Sequence, residues 1–227
     1  MALHIQTFLT RTATALVFVA IMIGGLFYNE YSFIALFAIV MFGCLFEFSK
    51  IARLINAKKY FYFLPIAFLY IILPITFMID LGTHNLEREI AYSPLIPCMI
   101  IFSIWINDTA AYLVGSFIGK TPFSKISPKK TWEGTIGGVV ICIALVAFVG
   151  SYFVNNPQLT KINWVITASI CAIFGTMGDL LESKLKRMAN IKDSGSIMPG
   201  HGGFLDRFDS ILIATPMVWL YFKLFIL

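Results

Sequence analysis

Three carboxylates, Asp179, Asp206 and Asp209, sit where apolar stretches end or begin. Hard carboxylate oxygens suit Mg²⁺, which takes oxygen ligands and completes its shell with water and substrate phosphates. The run Ser183–Asp209 follows Asp179 and carries eight charged residues in 27, in a chain that is only 13% charged. A dense polar segment between apolar spans is costly to keep near a membrane, and such segments mark sites. The types are specific: carboxylates able to hold a cation, and Ser183, Lys186, Arg187, Lys192 and Arg207, able to hold phosphate.

Asp179, Glu182, Ser183 and Lys186 recur at i, i+3, i+4 and i+7, which puts them on one helical face. Glu182 and Lys186 also suit a charged helix end reaching into the interface. Asp179 suits that less well, because a carboxylate is too short to reach far. Gly175 and Gly178 before it would let another backbone or a ligand come close. Asp206 and Asp209 are three apart at a helix start, where capping and the helix dipole would account for one aspartate. Two of them, preceded by Pro199-Gly200-His201-Gly202-Gly203, ask for more: a glycine turn and a helix N-terminus expose N–H groups to an anion. His201 is either a ligand of substrate or a histidine bonded to a backbone carbonyl. It has no second His or Cys at metal-ligand spacing, which argues against zinc.

A second polar run is Ser124 to Gly134. Its lysines alone would be a positive anchor with Trp132 at the interface. Hydroxyls and lysines alternating around a proline turn, in Ser127, Lys129, Lys130 and Thr131, also make a phosphate cradle. The nearby Gly115-Ser116-Phe117-Ile118-Gly119-Lys120-Thr121 imitates a P-loop but has three residues between its glycines, not four, and ends an apolar helix. Its glycines suit close packing and a helix end. Asp108, Tyr112, Gly115 and Gly119 share a face, and a carboxylate inside a span is a functional candidate. Glu47, near the end of a span, reads as an interfacial charge.

The elements that must hold these residues are apolar helices. The chain is 59% hydrophobic, against about 45–50% in soluble domains, and its mean hydropathy is +0.84. Seven segments, roughly 12–28, 31–49, 60–80, 95–118, 134–154, 164–183 and 208–227, are long enough to span a core of about 30 Å. The fold class expected is all-α, a polytopic membrane bundle of about seven transmembrane helices forming one integral domain, 1–227. Residues 12–28 are taken as the first helix and not a signal peptide, because no small-residue cleavage site follows. Cys44, Cys98, Cys142 and Cys171 all lie in apolar runs and match no zinc or disulfide spacing.

Lys and Arg placement sets orientation. With the N-terminus in the cytoplasm, 14 of the 17 fall inside and only Arg88 and Lys161 outside, with Lys223 within the last span. Both polar loops, 119–133 and 184–207, then face the cytoplasm with Asp108, Asp179, Asp206 and Asp209 near them.

The run from Ser183 to Asp209 resembles the signature of phosphatidate cytidylyltransferases, the CDP-diglyceride synthases. Ser183, Lys186-Arg187, Lys192-Asp193, Pro199, His201-Gly202-Gly203, Asp206-Arg207 and Asp209 fall in register with it, and Met198 stands where the family usually has Leu, Ile or Phe. The runs Asp108–Tyr112 and Ser127–Gly134 resemble the family's other recurring segments. The match covers about 105–138 and 175–210; residues 1–95 match only in being hydrophobic, which leaves 96–227 as the catalytic helices and loops.

The resemblance implies a reaction, CTP plus phosphatidate giving CDP-diacylglycerol plus pyrophosphate with Mg²⁺. It implies an all-helical membrane fold, usually dimeric, in a bacterial-type inner membrane with its polar cavity open to the cytoplasm. It places a metal centre on the aspartates matching Asp179 and Asp206, with room for a second cation such as K⁺. Asp209 would support that shell, and Lys186 would act beside it. Ser127, Lys129, Lys130, Thr131, Ser183, Arg187, Lys192, His201 and Arg207 are then the substrate ligands. The partners expected are CTP, phosphatidate, membrane lipids and a second copy of the chain, with no nucleic acid. Two alternatives stay open: a CTP-dependent polyprenol or phytol kinase, and a transporter of anionic metabolites.

Overall fold

The computed structural model describes residues 5–83, 92–154, 156, 159–197 and 202–226. Seven helices run through them: α1 (Ile5–Phe27), α2 (Glu30–Ile55), α3 (Tyr60–Thr83), α4 (Leu95–Ile118), α5 (Trp132–Phe153), α6 (Lys161–Met188) and α7 (Leu205–Phe225). Six of them, α2 to α7, are long and apolar enough to cross a membrane. The apolar part of α1, Thr12–Phe27, is shorter. The polytopic helical bundle expected from hydropathy is therefore present. Among the described residues there is no strand, only an isolated bridge between Pro122 and Thr131.

Local chemistry sets the helix boundaries. Asn29 caps α2: its Oδ1 accepts from Ser32 N–H at 2.8 Å, and Ser32 Oγ accepts from Asn29 N–H at 3.0 Å. Thr160 and Asn163 cap α6 in the same reciprocal way, and Thr131 Oγ1 accepts from Gly134 N–H at the start of α5. Within α3 a π-helical stretch, Phe68–Ile72, precedes Pro74. A proline has no N–H to give the helix ladder, and a local change of register absorbs the gap. At 28 residues α6 is about 42 Å long, longer than the ~30 Å hydrocarbon core. It continues past the expected end at residue 183, and Lys184, Lys186 and Arg187 occupy the extra turns.

The neighbours in the bundle follow chain order. The closest pairs are α4 with α5, α6 with α7 and α5 with α6; α7 also packs on α3, and α4 on α6. Large side chains such as Phe33, Phe37, Met78 and Phe222 fill the interior. All four cysteines are buried and unpaired, in keeping with their reading as small apolar residues. Helices α4 and α5 pack side by side, as do α6 and α7. The loop 119–131 and the described residues on either side of 198–201 meet the ends of α6 and α7 at one end of the bundle, where Glu47 near the end of α2 also makes contact.

Candidate active site

At that end α6 and α7 touch backbone to backbone. A Cβ placed on Gly178 would meet the carbonyl oxygen of Asp209, and would lie 2.9 Å from Ser210 Cα. Only a residue without a side chain permits this approach, and it sets Asp179 beside the second turn of α7. One oxygen from each of Asp179, Glu182 and Asp209 lies within 4.8 Å of the others. Glu182 and Asp209 are buried, and Asp179 is partly exposed.

Lysines meet this acidic group from two sides. Lys130, from the loop after α4, forms an ion pair with Asp179. Lys186 forms one with Glu182, a turn before it on α6, and another with Asp206 at 2.6 Å. Asp206 also accepts hydrogen bonds from Gly203 N–H (2.8 Å) and Ser194 N–H (2.9 Å), and its Oδ2 lies 2.9 Å from Ser194 Oγ. Ser183 Oγ donates to Asp179 Oδ1 at 3.3 Å.

The formal charge suggests what else belongs there. Four carboxylates (Asp179, Glu182, Asp206 and Asp209) stand against two ammonium groups (Lys130 and Lys186), a net of −2. Like charges gathered in low dielectric ask for a counter-charge. A divalent cation with a preference for oxygen ligands fits this donor set.

Two cavities adjoin the acidic group. The first, about 500 Å³, lies between α4, loop 119–131 and α6 and is lined by Ser127, Lys129, Lys130, Thr131, Thr176 and Asp179. The second, about 330 Å³, has apolar walls from Phe18, Val19, Ile104 and Trp105 and a polar floor of Asp206, Arg207 and Asp209. Asp108 lines both.

Loop 119–131 is held in shape by a residue that sequence reading did not single out. Glu133 accepts from Lys120 N–H (3.2 Å), Thr121 N–H (3.2 Å) and Thr121 Oγ1 (2.8 Å). Phe123 N–H donates to Lys130 O at 2.8 Å across the same turn. Gly115 and Gly119 lie against the Thr131 side chain, so they serve close packing, as the imperfect P-loop spacing implied.

Most of the residues singled out in the sequence converge here: Asp108, Ser127, Lys129, Lys130, Thr131, Asp179, Ser183, Lys186, Asp206, Arg207 and Asp209. Arg187 and Lys192 are exposed beyond this group, and Arg187 Nη1 donates to Ile191 O at 3.1 Å. His201 lies outside the described residues, as do Met198, Pro199 and Gly200.

Glu47 needs a correction. It is not an interfacial charge but is 4% exposed, and its carboxylate accepts from Ser194 Oγ (2.6 Å), Phe204 N–H (2.9 Å) and Leu205 N–H (2.9 Å). A lone carboxylate near the end of an apolar run was the only hint of this in the sequence. Its partners are 147 or more residues away.

Residues 57–225 match the model of a family described as the cytidylyltransferase family. Among curated proteins, a phosphatidate cytidylyltransferase of Rickettsia typhi is 34% identical over 217 residues, 93% of this chain and 90% of that protein. One of Bacillus subtilis is 37% identical over 164 residues, 72% of this chain and 58% of that protein. A chloroplastic one of Arabidopsis thaliana is 44% identical over 131 residues, 57% of this chain. The chain thus spans little more than half of the Bacillus protein and 33% of the Arabidopsis one.

Proposed function

The chain belongs to the cytidylyltransferase family, and from that premise we propose that it is a membrane-embedded phosphatidate cytidylyltransferase. It would convert CTP and phosphatidate to CDP-diacylglycerol and pyrophosphate. The observation that carries this reading is the pair of unlike cavities meeting at Asp108, beside one cluster of carboxylates. A water-soluble polyanion suits the cavity lined with hydroxyls and lysines. A lipid with a charged head suits the one with apolar walls and a polar floor.

A phosphatidate phosphate oxygen attacks the α-phosphorus of CTP. A new P–O bond forms, the bond from the α-phosphorus to the bridging oxygen breaks, and pyrophosphate leaves with the electron pair. The attacking oxygen is already an anion, so no general base is required. Positioning and charge neutralisation supply the catalysis.

Lys129, Lys130, Ser127 and Thr131 hold triphosphate oxygens, and Arg207 holds the phosphate of the lipid. Lys186, between Glu182 and Asp206, keeps a positive charge beside the transferred group. Ser183 orients Asp179 through its hydrogen bond, Arg187 and Lys192 contribute from the rim, and His201 is a further substrate ligand in this proposal. Asp179, Asp206 and Asp209, with Glu182 at hand, would hold Mg²⁺. When bound, Mg²⁺ supplies charge stabilisation to the triphosphate and the leaving pyrophosphate. A second cation such as K⁺ belongs to the same proposal.

The membrane face follows from the basic loops. With Lys and Arg concentrated at the site end of the bundle, that end faces the cytoplasm, where CTP is found. Helices from 96–227 carry most of the chemistry, and the assembly proposed is a homodimer in a bacterial-type inner membrane.

Purified protein incubated with CTP labelled at the α-phosphate, phosphatidate and Mg²⁺ should yield labelled lipid and one pyrophosphate per turnover. Release of CDP would instead identify a CTP-dependent lipid kinase. Label uptake into vesicles, with no labelled lipid, would identify a transporter.

A further inference from the structure

Glu47 lies on α2, outside the segments that carry the family signature, yet it is in direct contact with that signature. Phe204, at the N-terminus of α7, makes no side-chain cap of its own. The first N–H groups of a helix need acceptors. Here they find Glu47: Phe204 N–H reaches Oε1 and Leu205 N–H reaches Oε2, each at 2.9 Å. An anion at a helix N-terminus is favoured by the dipole as well as by the hydrogen bonds.

The signature loop also closes around the same carboxylate. A Cβ on Gly195 or on Gly203 would run into Glu47. Those two glycines are therefore small because the glutamate occupies the space. Ser194 extends the contact. Its Oγ lies 2.6 Å from Glu47 Oε2 and 2.9 Å from Asp206 Oδ2, and its N–H donates to Asp206 at 2.9 Å. A hydroxyl has one proton, and the shorter contact assigns it to Glu47. The backbone N–H of the same serine then serves Asp206. From there the chain of contacts runs to Lys186 and on to Glu182.

We infer that Glu47 is a positioning residue for the active site: it docks Ser194, Gly195 and Gly203 together with the start of α7 so that Asp206 and Asp209 face α6. This rests on the cytidylyltransferase reading for its kinetic readout. Glu47 itself lines neither cavity. Its effect is carried by Ser194, Phe204 and Leu205.

The test compares Glu47→Gln with wild type, each purified as the full chain in detergent. The amide keeps the shape but turns one acceptor into a donor, which must face an N–H or the Ser194 hydroxyl. The expected result is a kcat lower by on the order of 10-fold or more, with KM for CTP and phosphatidate within about twofold. The Mg²⁺ concentration for half-maximal rate should rise, and trypsin should cut faster after the exposed Lys192. Glu47→Asp, which keeps the charge on a shorter arm, should recover part of kcat. Wild-type kcat and Mg²⁺ response in Glu47→Gln would overturn the inference. So would a loss of rate that only tracks a loss of folded protein, with the Mg²⁺ response unchanged. If Glu47→Gln does not fold, Ser194→Ala decides, since it removes the hydroxyl that ties the Asp206-binding serine to Glu47 and leaves the helix cap. An unchanged kcat and Mg²⁺ response there would overturn it. If wild type makes no CDP-diacylglycerol, the cytidylyltransferase reading fails, and trypsin cleavage still tests the hold of Glu47 on the loop.

Discussion

Lys130, in the loop that follows α4, forms an ion pair with Asp179 in the last third of α6. Both residues line the larger of the two cavities, and the contact joins two segments that the sequence keeps apart. It also puts a phosphate-binding type of residue directly beside a metal-binding type.

Lys130→Ala should therefore weaken nucleotide binding. A charge-assisted hydrogen bond contributes about 1.5–3 kcal/mol, so KM for CTP is expected to rise by on the order of 10-fold or more. Steady-state kinetics with varied CTP checks this. Lys58→Ala, on the connection between α2 and α3 and away from both cavities, should behave like wild type.

Asp179→Asn and Asp206→Asn should each lower kcat by on the order of 100-fold or more, the scale seen when one electrostatic partner of a transition state is removed. Circular dichroism should show that both remain folded. Chelating divalent cations should abolish wild-type turnover, and added Mg²⁺ should restore it. Near-wild-type turnover in either variant at saturating Mg²⁺ would remove that aspartate from the metal site.

Asp209→Asn separates function from stability. Asp209 is buried among Asp179 and Glu182, so neutralising it relieves like-charge repulsion in the metal-free protein. Thermal unfolding in the presence of chelator should give a Tm at or above that of wild type, while turnover is lost. A marked drop in Tm would mean that Asp209 is held mainly as a structural acceptor, through its contact with Ser210 N–H at 2.7 Å.

Gly178→Ala should do the opposite, harming both. The added methyl group meets the Asp209 carbonyl oxygen and forces α6 away from α7. Overpacking of this kind costs about 1–3 kcal/mol, visible as a lower Tm, and the carboxylates should lose their spacing along with kcat.

The far end of the bundle supplies a contrasting case. Asp80 Oδ2 accepts from Trp219 Nε1 at 2.7 Å and pairs with Lys223 at 3.1 Å, and Phe77 stacks on the Trp219 ring at 4.1 Å. This group ties α3 to the last turns of α7, remote from the cavities. Asp80→Asn should cost about 1 kcal/mol of stability and leave kcat unchanged; a thermal melt and an activity assay on the same preparation test both halves.

Much of this protein could be read from its sequence, for a physical reason. A transmembrane helix satisfies its own backbone hydrogen bonds, so uninterrupted apolar length alone locates it. That is why six of the seven expected spans, the shorter apolar helix before them, the buried cysteines and the crowding of charge toward two loops were all legible. The helical face shared by Asp179, Glu182, Ser183 and Lys186 was legible too, because its spacing is local. What belonged to tertiary structure was everything that joins distant segments. Which carboxylates stand together depends on Gly178 letting α6 touch α7, and that packing brings Glu182 into the group with Asp179 and Asp209. That Lys130 meets Asp179, and that two cavities share Asp108, follows from the order in which helices pack. Above all, Glu47 is a single charge in an apolar run with no motif around it. Its partners lie on the far side of the chain, and only the folded bundle brings them within hydrogen-bonding distance.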